Sequence, residues 1–308
     1  MEGEAFFSVI IPVYNGEKFI PAVLNSVLNQ TFKRYELVIV NDGSPDNSDE
    51  IIKEFICQYP TIQITYLQQN NKGLGGARNT AIQKARGALI ALLDQDDLWY
   101  PSKLAEVYKV FNEHPEVSLV CHNEAIRKSG QIVGTSSYGP NNPDMFRRLL
   151  FKGNCLSPSA VSFRKKIIDE IGYFSEDVKR VHFTEDYDFW LRIAEKRNTL
   201  YFLPAVLGEF TIHDSNYSYN DMEKIIRNTV NVLDQRFTNY RDKQSFDWFR
   251  LRLSKANWYF RNAYYFFKTK QVRLFIKYLL LSIITNPLVF FTALTELKKK
   301  SNPGRKQS

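Results

Sequence analysis

The stretch LLDQDDLWYP, residues 92–101, sets Asp94, Asp96 and Asp97 within four positions, directly behind an apolar run that has the look of a buried strand. Carboxylates crowded in this way repel one another unless a cation or a paired base offsets them. An Asp-x-Asp at the end of a buried strand offers hard oxygens to Mg²⁺ or Mn²⁺, and a metal held by one or two carboxylates completes its shell with phosphate oxygens and water. The chemistry implied is that of a phosphate ester. The structural alternative is that Asp94 ends the strand and Asp96 or Asp97 caps a helix near Pro101.

Further along, TEDYDFWLR puts Glu185, Asp186 and Asp188 at the start of a helix. Acidic groups suit that end of the macrodipole, and they could equally serve as a general base. His213, in EFTIHDSNYS, is one of four histidines in the chain. A neutral imidazole is an acceptable Mn²⁺ ligand, and a packing or surface role is the alternative. Tyr187, Phe189 and Trp190 could wall an acceptor site or pack beneath it.

These residues need elements to hold them. Apolar, β-branched runs recur at 6–14, 35–42, 62–68, 88–94 and 117–123, and helical periodicity fills Glu17 to Asn29 and Asn47 to Tyr59 between them. That alternation predicts a parallel sheet covered on both faces by right-handed crossover helices. In such sheets ligands collect beyond the carboxyl ends of the strands. Here those ends read PVYNGE, NDGS, QQNNKG and DQDD, so polar and acidic residues gather at one edge. The middle third predicts a strand and a short helix over 157–174, a helix over 184–196 and two short strands over 199–213. From about Asn220 the chain reads as helical. Neither GxxxxGK[ST] nor GxGxxG follows the first strand, and KGLGGARN (72–79) lacks the fingerprint spacing, which argues against a kinase-like or dinucleotide-binding protein.

Taken in order, SVIIPVYNGE, VNDGS, NNKGLGGARN, LLDQDDLWYP and TEDYDFWLR resemble the family 2 glycosyltransferases of the GT-A fold, over roughly residues 6 to 215. The resemblance implies an α/β fold, with a Rossmann-like, mostly parallel sheet between helices and a C-terminal α-helical extension. It implies a nucleotide-sugar donor, a divalent Mn²⁺ or Mg²⁺ and inverting transfer to a saccharide or lipid-linked saccharide in cell-surface polysaccharide synthesis. Carried over by position, it lays Pro12, Val13, Tyr14 and Asn15 against the base and has Glu17 shape that pocket. Asp42 would accept a hydrogen bond from a uracil ring, with Asn41 standing where an Asp is common. Arg78 would approach the base, the alternative being a helix-surface arginine. Asp94 would bind the ribose, Asp96 and His213 would join the metal and diphosphate, and Asp97 would be structural. Asp186 would be the base, with Glu185 or Asp188 as alternatives. A nucleotidyltransferase is the rival enzyme, but it would show a Gly-rich basic loop where this chain has PVYNGE. A non-catalytic glycan- or membrane-binding protein is the rival from another class.

Hydrophobic residues at 44% and charged residues at 24% of 308 are ordinary globular values. Three scattered cysteines without CxxC spacing indicate neither a disulfide framework nor a zinc site, and the N-terminus lacks the basic and long apolar regions of a signal peptide. A cytoplasmic enzyme, peripheral on the inner face of the membrane, is the expectation. The net charge of +8 is uneven: residues 241–308 hold 15 Lys and Arg against 3 Asp and Glu. Residues 276–294 are interrupted by Lys277, Asn286 and Pro287, so they fall short of the roughly 20 apolar residues that span a bilayer. Residues 262–290, NAYYFFKTKQVRLFIKYLLLSIITNPLVF, resemble one helix-turn-helix unit of a tetratricopeptide array, and the basic, aromatic faces there could rest on anionic lipid. No nucleic-acid recognition motif accompanies the charge. The predicted organisation is a catalytic domain over 1–215, a helical extension over 216–300 and a frayed tail over 301–308.

Overall fold

The computed structural model describes residues 6–177, 179–213 and 221–289. It divides into two compact units, the first comprising residues up to Phe146 together with Asn154–Met222, the second Arg147–Gly153 together with the chain from Glu223 on. The predicted tail and the end of the last predicted helix lie outside the described residues.

The first unit opens with the expected alternation: β1 (Phe7–Val13), α1 (Ile20–Leu28), β2 (Tyr35–Asn41), α2 (Ser48–Gln58), β3 (Ile64–Gln68), α3 (Gly73–Lys84) and β4 (Leu89–Leu92). β1 is buried along its whole length because both of its neighbours are parallel strands, β2 on one side and β4 on the other. Helices α1 and α2 contribute Val23, Leu24, Val27, Ile52 and Phe55 to the core on one face. Beyond β4 follow β5 (Leu98–Trp99), α4 (Lys103–Glu113), β6 (Val117–Lys128), β7 (Gln131–Ser136), α5 (Met145–Lys152), β8 (Val161–Arg164), α6 (Ile168–Ile171), α7 (Glu185–Glu195) and β9 (Thr199–Ile212). The sheet order is β3-β2-β1-β4-β8-β6-β9-β5, with β7 on β6. The α/β fold predicted from the strand alternation is the fold observed.

Two local features shape the site edge. Pairing of β1 with β4 stops at Ile10 and Leu92, while β1 continues beside β2 to Val13 and Asn41. Leu93 N donates to Ile10 O and Asp42 N to Val13 O, so alternate residues of β1 face opposite neighbours. Pro12 therefore turns its missing donor toward the β4 side, where pairing has already ended, and a proline costs nothing in this central strand. The strands part at that point, and a cleft opens.

The two short strands predicted over 199–213 are one strand. β9 runs parallel to β6 from Thr199 to Ile212, but its register slips between Leu203, opposite His122, and Val206, opposite Asn123. Pro204 and Ala205 fall in that irregularity, which is why the sequence looks broken there.

The second unit takes most of α5, from Arg147 on, and contains α8 (Met222–Asn239), α9 (Asp247–Lys268) and α10 (Val272–Thr285). α9 and α10 form a hairpin through a tight turn in which Lys270 has φ 59 and Gln271 N donates to Phe266 O. Ala256 and Ser282 are fully buried between them, and Ser282 Oγ donates to Ala256 O at 2.9 Å. Small residues there let the backbones approach. Asp247, buried at the start of α9, is clasped by Arg147.

Candidate active site

Beyond the carboxyl ends of β1, β2 and β4 lies a cavity of about 340 Å³ whose lining includes Pro12, Val13, Tyr14, Asp42, Arg78, Asp94, Asp96, Glu185 and Asp186. Residues from five separate stretches of sequence thus meet on one concave surface. Asn15, Glu17 and His213 are not part of that lining. Asn15, at φ 54, and Glu17 belong to the turn after β1, and the loop after β2 holds that turn. Asn15 N donates to Ser44 Oγ at 3.1 Å, Gly16 N to Ser48 Oγ at 3.0 Å and Glu17 N to Asp46 Oδ2 at 2.9 Å. Glu17 returns the contact, its Oε2 accepting from Asn47 N.

Asp42 is buried, and Oδ1 accepts from Gln69 Nε2 at 2.6 Å and Lys72 N at 2.9 Å. Both bonds fall on one oxygen, so the carboxylate is fixed in orientation with its second oxygen available at the cavity wall.

Arg78 is 1% exposed, so the helix-surface alternative is excluded. Its Nη2 donates to Asp94 Oδ1 at 2.7 Å and its Nη1 to Glu185 Oε1 at 3.1 Å, while Nε has no partner. The aromatic face of Phe174 lies 5.6 Å from the guanidinium carbon. The arginine is held charged by the two carboxylates in spite of its burial. Burial pushes Glu185 up to about 7, against the pull of Arg78, and also raises Asp186 above the ordinary carboxylate range.

The three members of the acidic cluster go to different places. Asp94 meets Arg78, and its backbone N donates to Ser159 Oγ at 3.0 Å. Asp97 is buried, accepting from Ser159 Oγ at 2.6 Å and from Thr211 N at 3.0 Å. Burial, reinforced by Asp96, Glu124 and Asp94, holds the Asp97 carboxyl well above its usual range. By fixing Thr211 it sets the end of β9, and two residues later His213 Nε2 reaches Asp96 Oδ2 at 3.0 Å. The imidazole is stacked on Phe19, with ring centroids 4.6 Å apart.

On α7 the acidic residues also diverge. Asp188 is buried and paired with Arg192 at 3.0 Å, away from the cavity. Glu185 faces Arg78, and Asp186 lines the cavity with Oδ1 accepting from Tyr187 N at 2.7 Å. The chain enters this helix through Phe183, another cavity residue, at φ 65, a strained conformation for a bulky side chain. Phe189 and Trp190 are fully buried, Phe189 stacking on Phe174 at 4.0 Å. They are core under the site and form no wall of it.

The family model described as glycosyl transferase family 2 matches residues 8–172, more than half of the chain. The chain belongs to this family. An uncharacterized glycosyltransferase of Rickettsia typhi is 30% identical over 230 residues, covering 70% of this chain and 68% of that one. The matches to two further curated relatives cover 52% of one and 33% of the other. Among solved structures, S. aureus TarS in complex with UDP-GlcNAc superimposes with a TM-score of 0.65 at 22% identity, over 91% of this chain and 81% of that one. The mannosyltransferase PcManGT of Pyrobaculum calidifontis, in complex with GDP-Man and Mn²⁺, gives 0.64 at 16% identity, over 98% and 82%. At these identities the likeness is one of fold, and the GT-A architecture expected of a family 2 glycosyltransferase is the one observed.

Two residues of this candidate site carry little or no signal in the sequence. Gln95 clamps the backbone of Tyr14 from both ends: Oε1 accepts from Tyr14 N at 2.8 Å and Nε2 donates to Tyr14 O at 2.9 Å. Ser159 joins Asp94 to Asp97. Gln95 lies inside the acidic motif, and its position between Asp94 and Asp96 was the only available signal; Ser159 carries none.

Proposed function

We propose that this chain transfers a sugar, with inversion, from a uridine diphosphate sugar to a hydroxyl of a saccharide acceptor, with Asp186 as the general base. The observation that carries the proposal is that the strand-end carboxylates Asp42, Asp94 and Asp96 open on the same cavity as Asp186. Inverting transfer needs both a donor pocket and, across from the leaving diphosphate, a base.

On the donor side, the unoccupied oxygen of Asp42 suits an N–H of the base, and Gln95 fixes the Tyr14 backbone beside it. Asp94 faces the ribose, its charge balanced by Arg78 so that it does not repel the diphosphate. The donor set also fits a divalent ion. Asp96 Oδ2 and His213 Nε2 stand 3.0 Å apart, and a carboxylate oxygen and a neutral imidazole nitrogen so placed would together hold Mn²⁺ or Mg²⁺. With two protein ligands, phosphate oxygens and water would complete the shell. Mn²⁺ or Mg²⁺ held there would offset the negative charge that develops on the departing diphosphate.

Asp186 then takes the proton of the acceptor hydroxyl as its oxygen bonds to the anomeric carbon and the bond to the diphosphate breaks. Asp186 suits this part better than its neighbours, because Glu185 is tied to Arg78 and Asp188 to Arg192. The raised position of its carboxyl makes it a stronger base than an exposed aspartate.

The test is Asp186→Asn, assayed for UDP binding and for release of UDP from UDP-sugars with an acceptor and Mn²⁺. Donor binding is expected to persist and transfer to be lost. Undiminished transfer by the variant removes Asp186 as base, and transfer from other nucleotide sugars alone corrects the donor.

A further inference from the structure

The outward face of α10 is apolar along its length. Val272, Ile276, Leu280 and Ile284 are 63%, 50%, 53% and 72% exposed, and they recur every four residues, which keeps them on one arc of the helix. The opposite arc, with Tyr278 and Ser282, is buried against α9. The exposed stripe does not end with α10. Arg252 Nε donates to Thr285 O at 2.9 Å, and its guanidinium carbon lies 4.8 Å from the ring centroid of Trp248, itself 60% exposed.

Cations border this stripe. Lys268, Lys270 and Arg273 are exposed at its amino end, while Lys277 is paired with Glu223 at 2.6 Å. Exposed aliphatic surface of this extent, rimmed by Lys and Arg with a Trp at one end, is the composition of a helix that lies in a bilayer interface. Among the described residues no helix is long and apolar enough to cross a membrane.

We propose that the α10 face and Trp248 rest in the headgroup region of an anionic lipid bilayer, the aliphatic stripe below the phosphates and Lys268, Lys270 and Arg273 among them. Charge selects this occupant. Residues 241–289 hold 10 Lys and Arg against 2 Asp and Glu, and Lys268, Lys270 and Arg273 stand exposed at the stripe's end, so the same face of a second copy would set like charges against each other, whereas anionic lipid offers both an apolar layer and opposite charge. Long basic side chains can keep their heads at the phosphates while their stems cover apolar surface. The inference does not depend on the sugar-transfer proposal, because lipid binding is read without turnover.

The experiment is co-sedimentation of the full chain with vesicles of phosphatidylcholine alone and of phosphatidylcholine mixed with phosphatidylglycerol. Binding is expected to the mixed vesicles, to weaken with salt, and to fall by roughly tenfold or more on pure phosphatidylcholine and in the double variant Ile276→Glu/Ile284→Glu. Arg273→Gln/Lys270→Gln is expected to weaken binding while removing no apolar contact. Val133→Glu, at an exposed apolar position of β7, is expected to bind like the parent. Circular dichroism and melting of each variant confirm the fold. No binding to the mixed vesicles, equal binding to both lipids, or full binding by Ile276→Glu/Ile284→Glu overturns the proposal. So does a lipid-free dimer that this double variant dissociates, since the stripe then belongs to a second copy.

Discussion

Arg78 and Asp94 are joined by a 2.7 Å ion pair in which the arginine is buried and the aspartate stays open to the cavity. The same guanidinium reaches Glu185, 107 residues further along the chain, at 3.1 Å. One side chain on α3 therefore ties the strand-end carboxylate Asp94 to the helix that carries the proposed base.

Removing that tie leaves a buried carboxylate unpaired. Arg78→Met is expected to cost about 3 kcal/mol of stability, the low end for a broken buried pair because Asp94 keeps some solvent. Urea unfolding measures it. Arg78→Lys retains the charge but cannot span both partners, so it should recover part of the stability and little of the transfer rate. Full activity of Arg78→Lys would show that two-point contact is dispensable.

Glu185 gives a pH signature with a defined sign. Its carboxyl is pushed up to about 7 by burial, whereas the ordinary value is 4.5. Between those values the native state keeps a proton that the unfolded state releases, so this group's contribution to stability falls as pH rises through that window. His122 works the other way: burial pushes it down to about 3, so below its ordinary 6.5 the unfolded state takes up a proton the native state lacks. Glu185→Gln separates the two. Its stability relative to the parent should grow between pH 5 and 8 by on the order of 2 kcal/mol, measured by urea titration at each pH. A difference that stays flat with pH would rule out the buried, proton-holding Glu185.

Much of this was legible in local sequence because the repeating strand-helix alternation forces strand ends to one edge. Asp42 and Asp94 follow β2 and β4, the two parallel neighbours of β1, so a regular pattern suffices to bring them to one edge. Contacts made by α3, α7 and the turn before β8 are different. Arg78, Gln95 and Ser159 are given their partners by packing between segments 16 to 107 residues apart, and no spacing encodes that. The fused β9 was hidden for a related reason. Pro204 looks like a strand end in isolation, and only the ladder with β6 shows that the chain slips past it and resumes. Phe189 and Trp190 could be either wall or core from type alone, and burial decides for core.

The clamp made by Gln95 predicts a shared phenotype for two substitutions. A Cβ at Gly16 would lie 2.5 Å from Gln95 Oε1, so Gly16→Ala must push the amide off the Tyr14 backbone. Gln95→Ala removes the amide outright, which should cost about 1–2 kcal/mol of stability through the two lost hydrogen bonds. Both variants should raise the donor KM by similar factors with a smaller change in kcat. The double variant should be no worse than Gln95→Ala, because both act on one contact. Additive KM effects in steady-state kinetics would separate them.

The pairing of His213 with Asp96 separates a metal site from an ordinary hydrogen bond. If the two atoms share an ion, Asp96→Ala should weaken UDP binding in the presence of Mn²⁺ by roughly tenfold or more, about 1.4 kcal/mol, and leave the weaker metal-free binding little changed. Removing an acidic charge without a metal should do the reverse, since one repulsive carboxylate fewer would favour a diphosphate. The sign of the effect therefore tells the two apart. His213→Ala should follow Asp96→Ala with a smaller loss, because the carboxylate carries the charge and the imidazole one further coordination position. Calorimetric titration of UDP with Mn²⁺, with Mg²⁺ and with chelator, across parent and both variants, measures each quantity. Tighter metal-free binding by Asp96→Ala together with an unchanged Mn²⁺ response would assign the 3.0 Å contact to a hydrogen bond that only anchors the end of β9.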